Sequence, residues 1–433
     1  MIFMPTVAFD TLGCKVNQYE TEVMRAGFEA AGYTTVPFSQ AADVYIVNTC
    51  SVTAASDAKS RQALRRARRL SPTAVIAAVG CYAQVAADEL SALPEVNLVL
   101  GSVGKTALPA VIEAYRRDGT LPAVTPLTRP VPFEPMEAAR YLRTRAVMKI
   151  QDGCNNFCAY CIIPYARGRI RSKRPDDALA EFSRLVAEGY REIILTGIEI
   201  ASYGGGEGEA FDLEGLLGRM AGVPGADGVR VRLGSLEPRI VTPSFAKTLS
   251  ELPFICPQFH LSLQAGCDAT LRRMNRRYDK ARYLESVALL REAMPGTELT
   301  TDVIVGFPGE TEADFLESVA FVQTVGFLKT HVFPYSRRPG TPAADMPEQI
   351  PVPERERRAA MLSQAAEEVR RQRLAAAVGQ TRQVLLEARR GDAWHGYTAS
   401  YMPVYAKGPG AHNTFADVTL VELEADGLAG VIR

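Results

Sequence analysis

The chain has 433 residues, 47% of them hydrophobic, enough to fill about three domain cores. Forty-nine basic residues match 49 acidic ones, which excludes a global positive field as the means of holding a nucleic acid and leaves only local patches. The first residues lack the basic region and long apolar run of a signal peptide, and no later stretch approaches ~20 uncharged apolar residues, so a cytoplasmic protein without membrane spans is expected.

From Thr6 to about Arg117, short β-branched runs (TVAFDTL, DVYIVN, AVIAAVG, NLVL) alternate with helical patterns. This predicts an α/β domain over 1–117 with a doubly wound parallel sheet. Residues 118–143 are Pro-rich without apolar period and read as a linker. A second series begins at Thr144, with strand-like runs AVMKIQ, EIILTG, VRVRLGS, QFHLSLQ, LTTDVIVG and KTHVFPYS. Six βα units predict a partial (β/α)6 barrel, followed by a long charged helix from Pro351 to Val378 that Gly379 would cap, closing this domain at 378. Residues 379–433 alternate apolar runs with Gly, Asp and Asn turns and predict a small antiparallel β-barrel.

Eight cysteines in a reducing compartment are poor disulfide staples, and six fall into two groups that read as metal ligands; Cys256 and Cys267 match neither group and are taken as structural. Cys154, Cys158 and Cys161 (QDGCNNFCAYC) follow a predicted strand at the mouth of the barrel, where barrel active sites are built. Three close thiolates can hold three irons of a four-iron cluster and leave the fourth open, the mark of a catalytic site. A structural zinc would call for paired Cys-x2-Cys knuckles and a fourth ligand in this loop, and a four-thiolate ferredoxin cluster for another nearby cysteine.

Cys-x3-Cys-x2-Cys with Tyr160 before the last cysteine resembles the radical S-adenosylmethionine (SAM) superfamily. The resemblance implies a [4Fe-4S] cluster whose open iron is chelated by SAM, with one-electron cleavage giving a 5′-deoxyadenosyl radical. It further implies cofactor contacts at strand ends: Tyr160, Gly197, Glu199, Ser235, Gln264, Val305 and Gly306.

Cys14, Cys50 and Cys81 lie far apart, yet each directly follows a predicted strand, and such positions gather at the carboxyl edge of a parallel sheet. Taken alone they could be three small buried apolar residues. Asn17, Asn48, Thr49, Ser51 and Gly80 surround them with polar and small groups suited to orienting a second cluster. The combination LGCKVNQYETE, VNTCSVT and VGCYAQ, followed by the radical SAM triplet, is similar over essentially the whole chain to the methylthiotransferases. That resemblance implies a second [4Fe-4S] cluster on Cys14, Cys50 and Cys81 carrying the sulfur to be transferred, and a low-potential electron donor such as flavodoxin or ferredoxin.

Three branches of that family differ in target: threonylcarbamoyladenosine in tRNA, isopentenyladenosine in tRNA, and an aspartate of a ribosomal protein. Cys-Lys-Val-Asn-Gln at 14–18 and Asn-Thr-Cys-Ser-Val-Thr at 48–53 resemble the first; the isopentenyl branch carries Gln-Met-Asn after its first cysteine and the ribosomal branch Pro-Lys-Asn. The expected reaction is methylthiolation at C2 of the modified adenosine next to the anticodon, with SAM as radical source and methyl donor. An iron–sulfur RNA-binding sensor without turnover is the alternative from another class, and the open-site triplet argues against it.

An RNA substrate should leave an electrostatic footprint, and Lys59–Arg69, Arg167–Arg174 and Arg272–Arg277 are local basic clusters, with Arg167, Arg169 and Arg171 the leading candidates for RNA contact. The terminal barrel resembles the TRAM domain, which implies tRNA binding. It holds five basic residues against six acidic ones, so binding there would rest on a local face and on aromatics such as Trp394, Tyr397, Tyr401 and Tyr405, which strand spacing also suits to a core. His395 and His412 read as surface loop residues.

Overall fold

The computed structural model describes residues 4–138 and 144–433; positions 139–143 of the expected linker lie outside the described residues. The N-terminal sheet has five parallel strands in the order Thr34–Val36, Thr6–Thr11, Val44–Thr49, Val75–Gly80 and Leu98–Leu100. Val44–Thr49 is buried along its whole length, as a continuous apolar run between two helical layers must be. Met24 and Phe28 of helix Lys15–Ala30 and Leu108 and Ile112 of helix Leu108–Asp118 cover one face; Ala63, Leu64 and Ala67 of helix Ala54–Leu70 cover the other. The strand order reverses between Thr6–Thr11 and Val44–Thr49, opening a crevice at their carboxyl ends.

The six predicted strands of the central unit all form and run parallel. Ala146–Lys149, Glu192–Thr196 and Arg230–Leu233 make one arc, and Ser235–Leu236, Gln258–Leu261, Glu298–Val305 and Lys329–Pro334 the next. The third strand bends at Gly234, whose added Cβ would meet the Leu195 carbonyl at 2.9 Å, and so serves both arcs. The outer strands Ala146–Lys149 and Lys329–Pro334 do not pair, and helix Lys15–Ala30 packs against the former. The barrel is therefore open along one side.

Helix Val352–Ala375 packs beside Lys329–Pro334, and Arg358 and Arg373 pair with Glu310 and Glu298 of the central unit. The five last strands close into a barrel around Val384, Leu386, Val404, Val418, Leu420 and Leu428. Its pairings are antiparallel as expected, except that Pro403–Lys407 and Gly427–Ile432 run parallel where the cylinder closes. His395, expected on a surface loop, is buried in strand Ala393–Thr398 between Tyr397 and Tyr405; the strand register, not the loop chemistry around it, decides its place. His412 is exposed as expected. Among the described residues no helix is long and apolar enough to cross a membrane.

Candidate active site

The triplet lies on a loop that only a few residue types can form. Gly153 has φ +73°, and an added Cβ would sit 1.9 Å from the Arg169 carbonyl, so this turn requires glycine. Phe157 also adopts a positive φ of 46°. It is fixed there by Asn275 Nδ2 donating to its carbonyl at 3.0 Å and by the Arg169 guanidinium 4.9 Å from its ring. The Cys154 amide donates to the Gly168 carbonyl and the Ala159 amide to that of Met274, tying both ends of the loop to the barrel. Burial pushes the Cys154 and Cys161 thiols up to about 12, which makes bare thiolates costly there and favours a bound cation.

Cys154, Cys158 and Cys161 open onto a cavity of about 290 Å³ that Tyr160, Glu199, Ser235 and Gln264 also line. Four of the seven expected cofactor contacts are thus brought together. Three are not. Gly197 is packed against Gln151, whose side chain a Cβ would meet at 2.8 Å. Val305 is fully buried in the core, and Gly306 turns toward Arg355 of the long helix while its amide donates to Glu310 at 2.6 Å. Their glycine and valine chemistry serves strand–helix packing. Glu199 is buried with Oε1 unpartnered, and desolvation raises its pKa to about 7 against the opposing pull of Arg276.

Arg276 and Asp302 also line this cavity and were not singled out from sequence. Arg276 Nη1 donates to Cys158 Sγ at 3.1 Å, its guanidinium stacks 4.8 Å from the Tyr278 ring, and Nη2 is buried without a partner. It belongs to the third basic cluster, so charge marked it, but only the fold turns it inward. An acceptor and a donor left open beside three thiols fit a cluster-bound amino acid cofactor better than a closed zinc site. Among the described residues, the group of metal-ligating side chains drawn within 4.8 Å of one another is Cys267, Asp314 and Glu317; neither cysteine trio closes that tightly, as ligands of one ion would.

Cys14, Cys50 and Cys81 gather where the strand order reverses. Cys14 precedes helix Lys15–Ala30, Cys50 follows Val44–Thr49, and Cys81 begins the short helix after Val75–Gly80. Desolvation raises the Cys14 and Cys50 thiols and the nearby Cys81 adds to it, with Cys50 and Cys81 buried and Cys14 the exposed member of the three. Gly13, at φ +95°, lets the chain pass where a Cβ would lie 2.7 Å from Cys50 Sγ. The polar neighbours mainly fix the strand ends: Asn17 Nδ2 donates to the carbonyls of Leu12 and Thr49, and Thr49 Oγ1 to that of Val79. Ser51 Oγ accepts from Arg338 across the domain boundary at 2.9 Å.

Arg167 and Arg171 are not RNA contacts. Arg167 is fully buried: Nε donates to Cys81 Sγ at 3.1 Å, Nη2 to Asn17 Oδ1 at 2.5 Å, and Nη1 to Glu20. Arg171 is buried against Asp152 and the Arg167 carbonyl. Only Arg169 remains exposed. The two arginines complete a buried network in which Glu20 and Asp152 face Lys105, Lys149, Arg167 and Arg171. Burial works to raise the Glu20 carboxyl, but Arg167, Lys105 and Lys149 hold it well below the usual range. Four cations against two carboxylates leave a buried excess of two positive charges beside Cys81, a costly arrangement unless a negative group lies there.

In the terminal barrel, Tyr397 and Tyr401 stack 4.8 Å apart, with Arg145 over both rings and Arg232 4.5 Å from Tyr401. These aromatics face the central barrel.

Residues 148–322 match the family model described as the Radical SAM superfamily, and residues 6–101 that described as Uncharacterized protein family UPF0004. Over 416 residues the chain is 38% identical to the Threonylcarbamoyladenosine tRNA methylthiotransferase MtaB of Bacillus subtilis (strain 168), covering 94% of this chain and 91% of that protein. It is 37% identical to the protein of the same name in Thermotoga maritima, covering 99% and 96%. To the tRNA-2-methylthio-N(6)-dimethylallyladenosine synthase of Moorella thermoacetica it is 38% identical, covering 87% and 86%. Among solved structures, the radical S-adenosylmethionine methyltransferase TsrM from Kitasatospora setae matches with TM-score 0.59 at 14% identity, over 79% of this chain and 77% of that one, a likeness of fold. The fold and the triplet define a radical SAM enzyme, which uses S-adenosylmethionine and a [4Fe-4S] cluster. Within that class, the chain belongs to the radical SAM methylthiotransferase family.

Proposed function

We propose that the protein replaces the C2 hydrogen of N6-threonylcarbamoyladenosine, next to the anticodon of a tRNA, with a methylthio group. The carrying observation is that Val52 and Thr53, two and three residues after Cys50, line the same cavity as Cys154, Cys158 and Cys161. The loop that follows Cys50 thus forms part of the wall of the triplet's cavity.

In this reading Cys154, Cys158 and Cys161 hold the SAM-binding cluster, and Cys14, Cys50 and Cys81 hold a second [4Fe-4S] cluster. The buried cation excess supports the second. A doubly charged four-iron core held by three thiolates and carrying an anionic sulfur ligand is a net dianion, equal in size and opposite in sign to the charge left over around Arg167. When bound, the cluster and SAM supply a radical able to take hydrogen from an unactivated aromatic carbon, which acid–base side chains cannot do. The chain's own groups bind and orient. Arg276 donates to Cys158 and keeps a second nitrogen free for the cofactor's carboxylate, while the open oxygen of Glu199 is placed to accept from its amino or hydroxyl groups. Tyr160, Ile162, Ile163, Ile198 and Tyr335 wall the cavity against water.

The domain assignment that goes with this reading is 1–117 for the second cluster, 144–378 for the radical SAM core and 379–433 for tRNA binding. A low-potential donor such as flavodoxin or ferredoxin would supply the electron, and a tRNA substrate implies a cytoplasmic site of action. Identity of 38% to relatives of both tRNA branches does not separate them, so the branch rests on the residues after Cys14 and on the longer coverage of the threonylcarbamoyl relatives. Mass spectrometry of tRNA nucleosides from cells lacking the protein tests it. Methylthio-threonylcarbamoyladenosine should vanish while its precursor accumulates; loss of methylthio-isopentenyladenosine instead overturns the assignment.

A further inference from the structure

The last strand of the central unit, Lys329–Pro334, carries its exposure on the side that a filled barrel would bury. Thr330 and Val332 are half-buried, with Val332 packed against the core on the side of the long helix, while Lys329, His331 and Phe333 alternate with them and are exposed. In a closed barrel the inward row is packed in layers of side chains. Here Phe333 is 41% exposed, yet it lines the triplet's cavity together with Ile304, its partner in register on Glu298–Val305. An uncovered aromatic ring inside such a cavity is a surface for another ring to stack on.

Asp302, one inward position before Ile304 on the same strand, lines the cavity too. Among the described residues nothing donates a hydrogen bond to its carboxylate; the group beside it is His260, with Nε2 3.4 Å from Oδ2. A chain of hydrogen bonds decides how that histidine is protonated. Arg232 has only donors, and its Nη1 donates to Gln258 Oε1 at 2.9 Å. Gln258 Nε2 therefore donates to Thr300 Oγ1 at 3.1 Å, which leaves the Thr300 hydroxyl free to donate to His260 Nδ1, also 3.1 Å away. In the neutral ring the proton is then on Nε2, the nitrogen beside Asp302, which is buried and otherwise without a partner. The backbone is fixed here as well. Gln264, at φ +67°, donates from its amide to the Asp302 carbonyl at 2.9 Å and accepts from the Ile304 amide at 2.8 Å. Strain of this kind persists only where the surrounding structure enforces it.

We propose that Asp302 and Phe333 form the subsite that recognises the target base: adenine stacks on Phe333, and its N6–H donates to the Asp302 carboxylate, which His260 orients. This rests on the reading of the protein as a threonylcarbamoyladenosine methylthiotransferase and deepens it. N6 and C2 leave the six-membered ring in different directions, so a base held through N6 in the lumen presents C2 toward the cysteines above. The same contact rejects guanine and uracil, which carry a carbonyl where adenine carries this donor; a carbonyl against a carboxylate leaves both unpaired.

The test is binding of fluorescein-labelled anticodon stem-loops to the iron-loaded full-length enzyme, read as Kd by anisotropy without turnover. One loop carries threonylcarbamoyladenosine and the other its N6-methyl derivative, which lacks the N6–H. The wild type should bind the first ~10- to 100-fold more tightly, the range for a hydrogen bond to a charged group. Asp302→Ala should bring the ratio near one. Asp302→Asn, of the same size but neutral, should lower it, which a purely steric effect of the methyl group would not do. His260→Ala should also lower the ratio, and His260→Gln, which keeps a donor near the Nε2 position, should restore part of it. Phe333→Leu should weaken both loops by about the same ~10-fold and leave the ratio unchanged. A ratio near one in the wild type, or a wild-type ratio retained in either Asp302 variant, overturns the subsite. So does a loss of SAM affinity in Asp302→Asn with discrimination between the loops intact. Wild-type enzyme that methylthiolates isopentenyladenosine tRNA and not threonylcarbamoyladenosine tRNA overturns the parent reading instead.

Discussion

The Nε of Arg167 lies 3.1 Å from the Sγ of Cys81, although the two belong to different domains and Arg167 follows the radical SAM triplet by only six residues. One side chain therefore links the loop of one cysteine trio to a thiol of the other. Its remaining nitrogens hold Asn17 and Glu20, so it also fixes the helix that begins after Cys14. Arg167→Met should leave the triplet's cluster in place and lose the second, lowering iron from about eight to about four atoms per chain. Iron analysis after anaerobic reconstitution checks this; a variant holding about eight would show that Arg167 is not required there.

Two glycines make a complementary pair. Gly153→Ala puts a Cβ 1.9 Å from the Arg169 carbonyl, and Gly13→Ala puts one 2.7 Å from Cys50 Sγ, both at positive φ. Each should cost at least ~1–2 kcal/mol from backbone conformation alone, with the clash added. The first should abolish 5′-deoxyadenosine formation from SAM. The second should retain that activity yet produce no methylthiolated tRNA, and identical phenotypes would contradict the division of labour between the trios.

Glu199 gives the iron-free protein a pH dependence. Its folded pKa of about 7 exceeds the ordinary 4.5, because burial penalises the carboxylate. The folded state then binds the proton more tightly than the unfolded one. The resulting stability is fully present below about 4.5 and is lost as pH rises through about 7, a change on the order of 3 kcal/mol. Urea unfolding from pH 5 to 8 should show this decline, and Glu199→Gln should flatten it.

Arg338 fastens the N-terminal sheet to the last βα unit, with Nη2 2.9 Å from Ser51 Oγ and 2.5 Å from Asp57 Oδ2. Burial raises the Asp57 carboxyl while Arg338 opposes it, so Arg338→Ala leaves a buried acid without its cation. Asp57→Asn in addition should recover part of the loss, because both members of the pair are then neutral. Thermal unfolding of the two variants decides: a double variant no more stable than Arg338→Ala would argue against a paired charge.

The sheet domain, the six barrel strands and the terminal barrel could be read from β-branched runs and turn residues because their periodicity is local. The convergence of Cys14, Cys50 and Cys81 was legible for a related reason, since each directly follows a strand of a parallel sheet. Misreadings arose where side-chain direction depends on distant partners. Arg167 and Arg171 looked like a surface patch, and only the approach of Glu20 and Asp152 turns them inside. Gly306 had the signature of a nucleoside contact, but the long helix, some fifty residues on, brings Arg355 to the space it leaves. Arg276 stood among six residues rich in arginine, with nothing nearby to show which one would reach Cys158.

The stacking of Tyr397 and Tyr401 under Arg145, together with Arg230 against Phe415, fixes the terminal barrel to the central one and takes up rings that the sequence offered for RNA. For a tRNA held at its far side, the terminal barrel then works as a caliper arm of set length, and the nucleotide presented to the lumen is chosen by reach as well as by its chemistry.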